Sequence, residues 1–316
     1  MPRMLESTGL IDTYQPSRGG VLSAWYGHVP FGNWLTSTTR PTIVVELGTH
    51  NGVSFASFCD AVISHDIPAV CYAVDTWAGD PQAGLYGEEV WADWSRYSEE
   101  HYGRFAHLLR GTFDEALSQF ADGSVDLLHI DGLHTYDAVK HDFDSWLPKL
   151  SARGVIIMHD IGERQTDFGV WRLWAEIQQA HPTFEFLHEH GLGVVAVGPD
   201  VPESVRMLVS ADEAETLEWR SRFAAAGDRV KLDEANAQLR AEFAALTAAH
   251  APLAGDVAAL NAEVARLQAE TGRLGHEVGA RDGELRDVRA STSWKVTAPL
   301  RAASRALSRV KGRPRR

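Results

Sequence analysis

Two short, mostly apolar runs, 125–130 and 155–158, each stop at an acid, and each stop has an imidazole close by. The first ends in Asp131-Gly132, with His134 in the loop behind it; the second ends in His159-Asp160. Runs this short and this apolar are the pattern of strands buried in a parallel sheet. Ligands of open parallel sheets sit beyond the carboxyl ends of the strands, so Asp131, His134, His159 and Asp160 should converge on one rim. Carboxylates and imidazoles gathered there can hold a ligand and move a proton.

The elements that must position these groups follow from the pattern on either side. Between the two runs, Tyr136, Val139, Phe143, Trp146 and Leu147 recur at helical spacing, and Pro148 and Gly154 close the segment. Upstream, 43–45 reads as a buried strand, 46–52 as a glycine-bearing loop and Ser54 onward as a helix. Gly48 and Gly52 let the backbone approach a ligand closely, although a tight turn would use the same glycines. A second strand, 70–74, ends at Asp75, 27 residues past Gly48, where an acid can take the hydroxyls of a ribose or simply cap a turn. A third strand is expected at 108–112, with Asp114 just beyond it. The aromatic lead-in 20–38 reads as a packing segment or lid, and the polar, glycine-rich stretch after Asp75 as the edge of a substrate mouth. Two closing strands, 184–187 and 193–197, flank His188 and His190, which read as a polar turn because no other ligand stands at metal spacing. The alternation predicts an α/β domain, a doubly wound, Rossmann-like, mostly parallel sheet that binds a nucleoside-containing cofactor.

At 316 residues and 44% hydrophobic content, the chain can bury a large core. Its two cysteines, Cys59 and Cys71, suit a reducing cytosol better than a disulfide scaffold. No signal peptide is found and no window is expected to approach a membrane span, so the protein should begin and stay in the cytoplasm. The net charge of −13 is polarised: from Ser291 onward there are eight Lys or Arg and no acid.

The composition changes near Ala226. Leucine recurs every seventh residue from Leu232 to Leu274, with Phe243, Val257 and Val264 three positions before later leucines. This is the seam of a left-handed coiled coil, expected to end at Arg281 and to be kinked or split at Pro252 and Gly255. Three parts are therefore expected: a globular domain over 1–226, a C-terminal α-helical coiled coil over 227–290 and a basic amphipathic tail over 291–316. The seam predicts a homo-oligomer. Trp294, Val296, Leu300, Leu307 and Val310 accompany the basic residues, which suits peripheral association with an anionic membrane at its inner face and makes nucleic acid the less expected partner.

The runs VVELGTHNGVS, AVDTWAGD, DLLHIDGLHTY and GVIIMHD together resemble class I S-adenosylmethionine-dependent methyltransferases, in particular the bacterial branch that includes the macrocin-type sugar O-methyltransferases. SWKVTAPLR resembles segments that end coiled coils in surface-polysaccharide biosynthesis proteins. The resemblance implies a methyltransferase acting on a sugar or glycan hydroxyl, with S-adenosyl-L-methionine as cofactor. Glu46, Gly48, Gly52 and Ser54 would cradle its methionine part, Asp75 would take the ribose, and Thr112 and Asp114 would flank the adenine. In related catechol-type enzymes two aspartates and an asparagine hold Mg²⁺; Asp131 and Asp160 match the aspartates, while Ile161 departs from the asparagine. His134 stands where those enzymes have a lysine base, and an imidazole suits the deprotonation of an attacking hydroxyl. Two other readings use the same letters. His129, Asp131 and His159 could form the facial triad of a non-haem iron hydroxylase, though such triads usually occupy a jelly roll. The domain could also be a catalytically inactive binding module serving the coiled coil.

Overall fold

The computed structural model describes residues 9–311 apart from Ala83 and Thr166. The chain divides into two compact units, 1–240 and 241–316. The first is built on seven strands: β1 (Ile43–Leu47), β2 (Val70–Asp75), β5 (Ala106–Arg110), β6 (Val125–Ile130), β7 (Leu150–His159), β8 (Thr183–Phe186) and β9 (Leu192–Ala196). They lie in the order β5-β2-β1-β6-β7-β9-β8, and a small separate hairpin pairs β3 (Gly79–Asp80) with β4 (Gly84–Leu85). The first five strands of that order run parallel, and β9 and β8 close the edge antiparallel. The expected doubly wound, mostly parallel Rossmann-like sheet is thus present.

Burial on both faces explains why the strands read as continuous apolar runs. Val44 joins one core cluster and its neighbour Val45 the other; Ile157 and Ile156 divide in the same way. Helices cover the two faces: α1 (Gly9–Thr13), α2 (Val29–Thr39), α3 (Val53–Ser64), α4 (Glu88–Tyr102), α5 (Phe113–Leu117), α6 (Tyr136–Trp146), α7 (Val170–Ala180) and α8 (Glu203–Val209). The aromatic lead-in is a packing segment, since α2 is buried almost throughout. Its Phe31 and Trp34 rings meet Phe223 and Trp219 at 5.2 Å, both on the next helix, α9 (Glu213–Ala290). Burial on α9 continues past Ala226 to Gly227 and Val230, and a side chain on Gly227 would strike the Gly27 carbonyl.

The strand expected at 108–112 forms two residues earlier, as β5. The reason is local: Thr112 and Glu115 make a reciprocal capping box that starts α5 and withdraws Thr112 from the sheet.

The second unit is helical, comprising the remainder of α9, then α10 (Thr292–Val296) and α11 (Ala298–Lys311). Pro252 lies inside α9, which continues through it, so of the two expected outcomes, a kink or a split, the split does not occur; proline's missing N–H removes one backbone bond of the helix. The expectation that no window approaches a membrane span is also overturned. One 18-residue stretch of α9 reaches a mean hydropathy of 1.3, long and apolar enough by length and composition to cross a membrane. Residues 312–316 of the basic tail, and the side chains of Leu307 and Val310, lie outside what is described.

Candidate active site

The strand order reverses beside β1, whose neighbours are β2 and β6, and the loops leaving β1 and β6 part there. A cavity of about 680 Å³ opens at this point. It is where an open α/β sheet binds its ligand.

The β1–α3 loop is held against the β6 loop at one atom. Gly48 has φ +87°, and a Cβ there would fall 2.0 Å from the Asp131 carbonyl oxygen, so only glycine fits. Asp75 fastens the same loop from the end of β2. Its Oδ2 accepts the Thr49 and His50 amides at 2.9 Å each, and its Oδ1 accepts the Trp77 amide at 2.7 Å. Three amides occupy most of a carboxylate's roughly four acceptor sites, leaving about one for a ribose hydroxyl rather than two.

Asp131, His134 and Asp160 meet across the cavity. His134 Nε2 lies 2.8 Å from Asp160 Oδ2 and 3.4 Å from Asp131 Oδ1. Gln82 takes the other side of the ring: its Oε1 accepts the His134 amide at 2.8 Å and stands 3.2 Å from Nδ1. Phe168 stacks flat on the imidazole at 4.9 Å. The ring is therefore held on three sides. His159, almost fully buried, places Nδ1 3.5 Å from Asp131 Oδ1 and 3.4 Å from Asp160 Oδ2. Asp160 sits at φ +60°, a left-handed conformation that costs a non-glycine residue about 1 kcal/mol or more and turns its carboxylate off the end of β7.

These contacts set the charges. Burial pulls the His134 pKa down, but hydrogen bonds to Asp131 and Asp160 outweigh it and raise it to about 10. His159 follows the same balance, also reaching about 10. Burial works against the two carboxylates, yet the imidazoles hold Asp160 down at about 2 and Asp131 well below the usual range. At neutral pH both imidazoles are thus protonated, and the four groups neutralise one another.

Asp131, His134 and Asp160 can each offer one ligand atom, all within 4.8 Å of one another, and they are the one such group among the described residues. Two carboxylate oxygens and one imidazole nitrogen suit a hard divalent cation that keeps other positions for water or substrate. Ile161 is buried and supplies no further donor.

Seven of the expected site residues line the cavity: Gly48, Ser54, Asp75, Thr112, Asp131, His134 and Asp160. Three do not. Glu46 lies in the sheet, fully buried beside its register partner His129, and its Oε1 accepts from His129 Nδ1 at 2.8 Å. Gly52 caps α3 with its Cα against the Trp94 ring. Asp114 is exposed in the first turn of α5 and pairs with His141 Nε2 at 2.8 Å. The iron triad does not form either: His129 gives Nδ1 to Glu46, its Nε2 stays 4.0 Å from Asp131, and the sheet is no jelly roll. His188 and His190 are turn residues, contacting the Gly27 carbonyl and Glu163.

Sequence reading missed Gln82, Phe168, Trp25 and Tyr86 as wall residues. Gln82 and Tyr86 had a signal in the polar, glycine-rich composition of their stretch, and Trp25 in the aromatic lead-in that reads as a packing segment or lid; Phe168 had none.

Residues 45–161, which span the glycine loop and Asp131, His134 and Asp160, match a family described as a methyltransferase domain. The chain is also 47% identical over 208 residues to the uncharacterized protein y4gI of Sinorhizobium fredii. That alignment covers 65% of this chain and 23% of the relative, so the chain spans about a quarter of the relative's length. Among solved structures it is similar to the O-methyltransferase TomG of Streptomyces achromogenes, in complex with SAM, with 13% identity and a TM-score of 0.42 over 56% of this chain and 82% of that one. The SAH-bound methyltransferase PaMTH1 of Podospora anserina gives 15% identity and a TM-score of 0.41, covering 61% and 87%.

Proposed function

We propose that the domain is an S-adenosyl-L-methionine-dependent O-methyltransferase whose acceptor is a sugar or glycan hydroxyl, made for bacterial surface polysaccharide. The observation that carries the reaction type is the single cavity in which the glycine loop meets Asp131, His134 and Asp160. The glycan part is supported by the IDGLHTY and MHD motifs, which hold Asp131, His134 and Asp160.

Each residue has a physical task in this reading. Asp75 keeps the β1–α3 loop open by binding its amides, and it lines the cavity where the ribose would lie. Gly48 lets the loop lie against the β6 end, so cofactor and acceptor are bound side by side. Gln82 and Phe168 fix the His134 ring with Nε2 toward the carboxylates and acceptor. His134 is the proton acceptor for the attacking hydroxyl, yet its resting pKa of about 10 keeps it protonated. A divalent cation such as Mg²⁺ on Asp131 and Asp160 would cancel the charges that hold that proton and polarise the hydroxyl. The inactive-module reading is disfavoured because these groups are intact and converge.

Self-association through the α9 seam and peripheral attachment of the tail to the inner face of an anionic membrane complete the proposal, with the catalytic domain in the cytoplasm. The tail reading is supported by basic α11 and by Trp294, whose ring carries the Arg301 guanidinium at 3.6 Å.

The test is methyl transfer from labelled S-adenosyl-L-methionine into a cell-wall glycan extract, with identification of the methylated sugar. His134→Ala should lower turnover roughly a hundredfold or more while cofactor binding by calorimetry is kept. Transfer to protein or to small phenols but not to glycan would refute the acceptor. Equal turnover in the variant would remove His134.

A further inference from the structure

The second unit leaves an apolar seam uncovered along α9. Exposure of its large side chains runs from 73% at Phe243 to 45% at Leu274, so no segment of this chain among the described residues shields them. The pattern repeats every seven residues. Leu246, Leu253, Leu260, Leu267 and Leu274 occupy one seam position, d, and Phe243, Val257, Val264 and Val278 the other, a. Leu285 and Val288, both half-exposed, carry the same two positions beyond Arg281, where the leucine row stops.

We propose that this seam pairs with the same seam of a second copy of the chain, parallel and in register, as a two-stranded coil. The proposal rests on the self-association reading above and adds strand number, direction and register to it.

Strand number follows from side-chain shape. Branching at Cβ in Val257, Val264 and Val278 at a, with leucine at d, is the combination that favours two parallel helices over three or four.

Direction follows from charge. The position just before a is acidic in five successive heptads: Asp256, Glu263, Glu270, Glu277 and Glu284. In an antiparallel pair this row faces its own copy, carboxylate against carboxylate. In a parallel pair it faces the position just after d in the other copy, which holds Asn261, Gln268, Gly275, Asp282 and Arg289. There the five acids meet three uncharged residues, one acid and one base. Arg266 bonds Glu263 and Glu270 within its own helix, and Arg273 and Arg281 pair with Glu277, but exposed pairs of this kind contribute little.

Register follows from the irregular seam positions. His250 and Thr271 stand at a, Arg281 at d, and Pro252 lies two residues past His250. Parallel pairing in register puts each opposite its own copy, polar facing polar and the proline turn facing the proline turn. A slip of one heptad sets His250 against Val257, and an antiparallel alignment that matches one polar pair sets the others against leucine or valine. A polar residue at a fixes register by this penalty.

A membrane is the poorer occupant of the same surface. The apolar residues form a stripe flanked by the acid row, whereas lipid would surround the helix on every side. The stretch that reaches spanning hydropathy does so with alanines on its outer face.

The experiment uses the full chain. Mass is measured by sedimentation equilibrium under reductant, and three variants that each add one cysteine at a, Phe243→Cys, Val264→Cys and Leu285→Cys, are then oxidised. Cys59 and Cys71 are buried, so the parent protein is the silent control. The expected result is a mass of twice 34.8 kDa for the parent and every variant, with a disulfide-linked dimer from all three. A dimer in which fewer than three sites self-link overturns direction and register while self-association stands. A trimer overturns the strand number. A monomer overturns both the proposal and the self-association reading, and a monomer that sediments with neutral phosphatidylcholine vesicles would assign the seam to lipid.

Discussion

Asp142 on α6 offers a stability test of the electrostatics next to the site. The residue is only 8% exposed. Burial drives its carboxyl up to about 7, with His141 opposing and Asp114 adding to the rise. An unfolded aspartate titrates near 3.9, so between about pH 4 and pH 7 the folded protein binds a proton that the unfolded chain has released. Stability therefore falls as pH rises through this window and levels off above pH 7. Three pH units at about 1.4 kcal/mol each place the full effect near 4 kcal/mol. Asp142→Asn keeps the shape and removes the ionisation, at a cost of about 1 kcal/mol for a buried amide without a strong partner. The variant should be no more stable than the parent at pH 4.5 and more stable by about 2–4 kcal/mol at pH 8. Urea unfolding of both proteins, followed by tryptophan fluorescence at five pH values, measures the difference, and taking the difference cancels the titrations that the two share. A gap that stays constant from pH 4.5 to pH 8 would show that the carboxyl ionises normally, and the account of Asp142 would fail.

Other parts of the site can be probed more briefly. Gly48→Ala should weaken cofactor binding at least about tenfold and cost about 1–3 kcal/mol of stability, because alanine is strained at φ +87° and its Cβ meets the Asp131 carbonyl; calorimetry and thermal unfolding read the two effects. Chelation should lower turnover, and added Mg²⁺ should restore it; full activity in excess chelator would eliminate the cation and leave His134 in place. A chain ending at Ala290 should lose co-sedimentation with anionic vesicles, and 0.5 M salt should release the full-length protein by screening its basic residues, as expected at a Debye length of about 4 Å. Equal binding by both chains would sink the tail assignment.

How far the site could be read in advance depended on what decides each feature. Asp131 and Asp160 were legible because chain direction decides them: a buried strand must end, and a parallel sheet sends every end to one rim. Gly48 was legible as a glycine but not as a contact, since only the folded pair of loops reveals the Asp131 carbonyl beside it. Glu46 misled because a buried strand was expected to hold apolar residues, whereas β1 extends through an acid that His129 satisfies from the adjacent strand. Asp75 stood where expected, but its hydrogen bonds go first to its own loop. Gln82 lay in a stretch legible as the edge of a substrate mouth, but its hydrogen bond to His134 was not, because it reaches across 52 residues of sequence and no local pattern encodes that approach. Position along a strand is a local property, whereas the occupancy of a lone pair depends on which loop folds over it. The proton on His134 is therefore a property of the assembled site: Gln82 turns Nε2 inward, Asp131 and Asp160 hold its charge, and whatever cancels those two charges decides when the imidazole can act as a base.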